Sequence, residues 1–197
     1  MDNLLKKIAI ITLLIAPLTL TACFNSTDDS SATESDIDGS YYYDYITAEF
    51  SIEAPENWEQ ITTFTSEYPE EIRVAFRNNI KEGDFIANLA VFREELTSSV
   101  TNVDLSQEKL SSHSDSLLDY MLLSQEELAL EVSGAESTTF LNTFEGKNDA
   151  SAQALSFKQI YLTKGDRAWV LTATYLPEED PFVIEKLDQM LRSFSLK

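Results

Sequence analysis

The chain has 197 residues, with 14 Lys and Arg against 34 Asp and Glu, a formal charge of −20, 43% hydrophobic residues and 11% aromatic residues. That length allows one domain with a tail, and that apolar content excludes global disorder. A single cysteine and a single histidine exclude an internal disulfide, a cysteine-based zinc site and any centre needing two imidazoles, and the negative charge opposes nucleic-acid binding, which relies on cationic side chains.

Residues 1–22 read as a secretory signal. Lys6 and Lys7 precede an apolar run from Ile8 to Leu20, 13 residues interrupted by Thr12, Pro17 and Thr19 and too short for a comfortable membrane span. Leu20-Thr21-Ala22-Cys23 looks like the bacterial lipobox, in which the thiol is diacylated and cleavage leaves the cysteine as the new N-terminus. The sulfur carries the lipid as a thioether, and small residues at 21 and 22 let the backbone enter the peptidase. Each buried CH₂ contributes about 0.8 kcal/mol, so two acyl chains make the anchor at Cys23 effectively permanent. Phe24 stands where an aspartate would favour inner-membrane retention, which leans toward the outer membrane. The expected location is a bacterial cell membrane or outer membrane, with the domain outside the cytoplasm.

Residues 23–40 hold the lipidated cysteine and a tether rich in Ser, Thr and Asp. Phe24 to Ser40 carries five acids and no Lys or Arg, too polar to offset its ordering entropy. Its mean reach is roughly 20–25 Å. Residues 41–197 form the single domain, with twelve Lys and Arg against 28 Asp and Glu, a net −16.

Within the domain, Asp44 to Ala54 reads as a strand ended by Pro55, with short strands at Trp58–Phe64 and Ile72–Phe76. Phe85 to Phe92 alternates, with Phe85, Ala87, Leu89 and Val91 on one face. Asp104 and Ser106 offer N-caps to a helix reaching about Ser124, with Leu110, Leu117 and Met121 on one side. Strands are predicted at Leu128–Val132 and Ser137–Phe144. A hairpin runs from Ala154 to Leu176 around Lys164-Gly165-Asp166. Asp180-Pro181 starts a terminal helix with Ile184, Leu187, Leu191 and Phe194 on one face. Short turns between strands imply antiparallel pairing, so the predicted class is α+β, an antiparallel sheet flanked by helices.

Phe50-x-Ile52-x-x-Pro55-x-x-Trp58, the Gly-Asp hairpin and the closing Arg192-Ser193-Phe194 resemble the PsbP/DcrB-like family over nearly all of residues 41–197. The resemblance implies an α/β/α sandwich and a non-catalytic protein that docks onto larger partners. The family includes envelope lipoproteins, photosystem II extrinsic subunits and a Ran-binding branch. The photosystem members dock through basic residues, so this acidic chain is nearer the DcrB-like lipoprotein branch.

Catalytic patterns are thin. Ser106-x-x-Lys109 matches the S-x-x-K of penicillin-recognising enzymes but lacks the S-D-N and K-T-G partners that chemistry needs, and a helix cap explains Ser106. Ser112-His113-Ser114-Asp115 cannot form a triad on a helix, where successive side chains diverge by about 100°. His113 lies instead on the apolar side with Leu110 and Leu117, as a satisfied, partly buried histidine. The acidic clusters at Glu67, Glu70, Glu71, at Glu94, Glu95 and at Glu178, Glu179, Asp180 lack calcium-loop spacing, so no metal or cofactor is expected.

The expected function is a lipid-anchored envelope module that docks a protein partner. The alternatives are an envelope hydrolase using unrecognised carboxylates, or a passive envelope component. A deep polar cleft with facing carboxylates would favour the hydrolase, and an apolar surface patch would favour docking. Trp169 sits mid-strand and reads as core. Trp58 at a strand entrance is either core or a partner anchor.

Overall fold

The computed structural model describes residues 41–79 and 85–197; the signal, the lipobox at Leu20, Thr21, Ala22 and Cys23, Phe24 and the tether lie outside them. The architecture is mostly β. The described residues form β1 (Tyr42–Ile46), β2 (Phe50–Pro55), β3 (Trp58–Ile61), β4 (Ile72–Asn78), β5 (Asn88–Glu95), α1 (Asn102–Ser116), β6 (Leu118–Val132), β7 (Ala135–Lys147), β8 (Leu155–Lys164), β9 (Arg167–Tyr175), α2 (Pro181–Arg192) and β10 (Ser195–Leu196). The ten strands make one sheet in the order β1-β2-β10-β6-β7-β8-β9-β5-β4-β3. Every pairing is antiparallel except β10 with β6.

A helix covers each face, and the period-2 alternation of strands sorts the apolar residues between them. Ile160 and Leu162 of β8 and Trp169, Leu171 and Ala173 of β9 join Leu187, Met190 and Leu191 of α2 in the main core. The intervening Tyr161, Ala168 and Val170 pack with Leu105 of α1 on the opposite face. Covered on both sides, β9 is buried at eight successive positions, Ala168 to Tyr175.

Two primed turns fix the long hairpins. Gly165, at φ +65°, opens the two-residue link between Lys164 and Arg167. Ser133 and Gly134, at φ +55° and +80°, link Val132 to Ala135. Such turns match the right-handed twist of the flanking strands. At α2 the Asp180 carboxylate accepts from the Phe182 N–H at 2.9 Å with Pro181 in the first turn, as the sequence predicts.

Several expectations require correction. The strand expected over Asp44–Ala54 is a hairpin, turned where Thr47 Oγ1 accepts the N–H groups of Glu49 and Phe50. Helix α1 is capped by Thr101, not by Asp104 or Ser106, with Thr101 Oγ1 accepting the Asp104 N–H at 3.1 Å. It ends at Ser116 rather than Ser124, because residues from Leu118 onward pair with β7. Met121 therefore belongs to a strand, although Leu110 and Leu117 are buried as expected. Strand β5 begins at Asn88, and Phe85 packs with Leu110 and Phe144, apart from the core that holds Ala87, Leu89 and Val91.

Candidate docking surface

Helix α1 and its C-cap residue, Leu117, deliver the chain into β6 at an unusual position. Leu117 is extended and buried, and Asp119 adopts φ +55°. Two register shifts follow, between Leu118 and Met121 and between Leu122 and Ser124. Each inserts one extra residue into β6 relative to β7, as β-bulges do. From Ser124 to Val132 the register with β7 is unbroken.

The far side of β6 is open over most of its length. Its other neighbour, β10, pairs only Leu196 with Val132, so among the described residues no strand lies beside Leu118–Glu131 on that edge. An ordinary strand buries alternate residues on a covered face. Here the seven residues Met121–Glu127 are all exposed, so both faces of this part of β6 are open to solvent. Leu118, Met121, Leu122 and Leu123 are 47%, 51%, 45% and 48% exposed, whereas Tyr41, Ile46 and Phe182 are exposed elsewhere, outside this run. A run of apolar side chains on an unpaired edge is the kind of surface that soluble proteins rarely leave free.

The electrostatics are one-sided. Between Lys109 and Lys147 the sequence holds seven acids and no Lys or Arg. Arg192 of α2 binds Glu126 in a two-pronged contact at 2.8 and 3.0 Å, and Lys147 pairs with Asp119 at 2.8 Å. The Arg192 hydrogen bond holds the Glu126 carboxyl below the usual carboxylate range. Among the described residues no cation pairs with Glu127 or Glu131, both exposed.

Beneath α1 lies a different arrangement, a sealed polar seam. Asn102, Ser106, Lys109 and His113 fall on one helical stripe and meet polar residues of the sheet. Asn142 Nδ2 donates to Ser106 Oγ at 2.9 Å, and Lys109 Nζ donates to Glu94 at 2.6 Å. Asn102 bridges β7 and β8, donating to the Thr138 carbonyl and accepting the Thr163 N–H. His113 Nε2 lies 2.9 Å from Gln159 Oε1 and 3.2 Å from the Tyr161 hydroxyl, which also donates to Gln159. Its ring stacks on Phe144, 5.1 Å between centroids. Burial first, then the nearby Lys109 charge, pushes the His113 pKa down to about 4 despite an opposing contribution from Gln159. His113 is thus buried rather than partly buried, and only half satisfied: Nε2 is hydrogen-bonded, while Nδ1 is buried without a hydrogen-bond partner.

The Ser106–Lys109 pair is not poised for nucleophilic chemistry. Ser106 is fully buried with its hydroxyl engaged by Asn142, and the lysine amine is bonded to a carboxylate rather than to the serine. Trp58, at the start of β3, is 4% exposed within the main core, so its indole is not displayed to a partner. Among the described residues no three His, Cys, Asp or Glu converge on a metal-sized point, and no helix is long and apolar enough to cross a membrane.

Sequence reasoning missed the Met121–Leu123 surface because it assigned those residues to a helix. Tyr120-Met121-Leu122-Leu123, four consecutive apolar residues beyond Leu117-Leu118, is too broad for one helical face, and that was the available signal.

No family model and no curated protein matches this sequence. Solved structures do. The Pseudomonas aeruginosa protein PA94, of unknown function, is similar with a TM-score of 0.52 at 14% identity, over 78% of this chain and 95% of that one. The cyanobacterial PsbP, CyanoP, of Synechocystis gives 0.51 at 15% identity, over 84% and 98%. The Saccharomyces cerevisiae Ran-binding protein Mog1p gives 0.52 at 15% identity, over 79% and 95%. At such identities the likeness is one of architecture, and the described domain has the PsbP-like fold that CyanoP and Mog1p share.

Proposed function

We propose that this chain is a lipid-anchored envelope protein of the DcrB-like branch that works without catalysis, by docking a protein partner on its β6 edge. The observation that carries the reading is the exposed strand Met121–Glu127, apolar at one end, paired with β7 on one side and with no strand on its outer edge among the described residues. Leaving such an edge bare invites aggregation, so its persistence is best explained by a cognate partner. Mog1p, described as Ran-binding, is a protein-binding protein built on this fold, which supports the reading. In this proposal Cys23 carries the lipid, Leu20, Thr21 and Ala22 complete the lipobox, and Phe24 to Ser40 is the spacer. The domain stands outside the cytoplasm, and Phe24 in place of aspartate favours the outer membrane.

Two measurements test this. Cys23→Ser is expected to move the protein from the membrane pellet to the soluble fraction without unfolding the domain. Continued pelleting that resists salt places the anchor elsewhere. A photo-reactive residue at position 123 is expected to give a discrete adduct in native membranes that Met121→Asp abolishes. The same residue at position 182 should give none. An adduct from 182 alone, or none from 123, rejects the surface.

A further inference from the structure

Resting on that reading of β6, we infer that the occupant is an extended, basic segment of the partner that joins the sheet as an added strand beside Ser124–Glu131. This stretch keeps an unbroken register with β7 and has no strand on its other side among the described residues. In an antiparallel pair, every second residue of an edge strand turns its N–H and C=O outward. An incoming strand satisfies those groups regardless of its sequence, while side chains supply selectivity. The bulged stretch before Ser124 is unsuited to regular pairing, so it acts as the apolar end stop, offering Leu122 and Leu123 to one hydrophobic side chain of the partner.

Charge decides among the occupants. Glu127 and Glu131 are exposed and lack cationic partners among the described residues, on a stretch with no Lys or Arg from 110 to 146. A second copy of this chain would bring an edge that also carries Glu127 and Glu131 without cationic partners among the described residues, and like charge on both edges opposes their pairing. The Phe24–Ser40 segment, with five acids and no base, is repelled for the same reason. A strand carrying Lys or Arg at alternate positions next to an apolar residue meets both the backbone and the charge requirement.

The test uses the mature lipidated protein in neutral detergent and a peptide of about ten residues alternating Lys with Val. Saturable binding is expected, with new amide-exchange protection confined to Ser124–Glu131. Replacing the peptide lysines by Glu, or placing proline at its centre, should weaken binding by about tenfold. Glu127→Lys with Glu131→Lys should weaken it similarly at an unchanged melting temperature. Undiminished binding of the proline peptide, or protection elsewhere, overturns strand addition. Protection of these amides without peptide, in a dimer, assigns the edge to a second copy and overturns the inference. No peptide binding, with the position-123 adduct intact, overturns the inference but leaves the docking reading standing. Loss of both removes both.

Discussion

Leu117 lies so close to Gly146 that a Cβ built on the glycine would sit 2.7 Å from Leu117 Cδ1 and 3.0 Å from its Cβ. Leu117 is where α1 stops, and Gly146 is near the end of the strand that pairs with β6. The missing side chain lets the helix-to-strand corner rest directly on β7. Gly146→Ala is expected to cost about 1–3 kcal/mol through overpacking. Denaturant titration should show a lowered midpoint, and Leu117→Ala in the same chain should recover part of the steric cost while adding a cavity. An unchanged midpoint for Gly146→Ala would mean the corner yields freely.

His113 makes stability depend on pH. Its folded pKa of about 4 lies below the ordinary 6.5, so the unfolded chain binds a proton more readily than the native one. This contribution is complete above pH 6.5 and is lost as the pH falls from there toward 4. Over that window it amounts to about 3 kcal/mol. The nearby Lys109 charge opposes an imidazolium, and the Gln159 hydrogen bond that favours it is outweighed by burial, so the sign stands. Melting curves from pH 7 to 4.5 should show a decline that His113→Gln flattens.

Lys109 and Glu94 form an ion pair with little solvent access, joining α1 to β5. Removing one member strands the other charge at the seam, which costs about 3–5 kcal/mol in buried settings. Lys109→Met alone is therefore expected to destabilise strongly, and Lys109→Met with Glu94→Leu to recover much of the loss. A double-mutant cycle measures the coupling. A value within about 1 kcal/mol of zero would class the pair with exposed salt bridges.

Trp58 and Trp169 share the main core at 4% and 3% exposure. Truncation of either to alanine is expected to cost about 3–5 kcal/mol. If Trp58→Ala melts like wild type while Trp169→Ala does not, the β3 entrance tolerates a void and Trp58 is not a core determinant.

The β8–β9 hairpin and α2 were legible because local signals agree there. Aromatic and β-branched residues flank Gly165-Asp166, and Asp180-Pro181 precedes an apolar stripe with Leu187 and Leu191. The β6 edge was illegible because Leu and Met favour helices locally, and only pairing with β7, across a turn at Ser133-Gly134, makes that segment a strand. The cap at Thr101 was missed because Asp104 and Ser106 are equally good capping types, and both fall inside the helix. Ser106 and Lys109 match a catalytic spacing that sequence reasoning sets aside in favour of a helix cap, and they are neither catalytic partners nor caps but members of the seam. Their spacing of three places them together on a helix, and the sequence cannot tell a site open to substrate from a seam closed by a sheet.

Strand β10 is only two residues long, yet it lies between β2 and β6, with Leu196 opposite both Phe50 and Val132. The β1–β2 hairpin is thus joined to the rest of the sheet through residues about 145 positions later in the chain. Loops of that length are closed late in folding, because their entropy is lost before their contacts form. The N-terminal hairpin must wait, with its edge unsatisfied, until residues 195 and 196 arrive. Among the described residues that hairpin has no other strand neighbour in the sheet, so loss of Leu196 is expected to lower folding yield as well as stability.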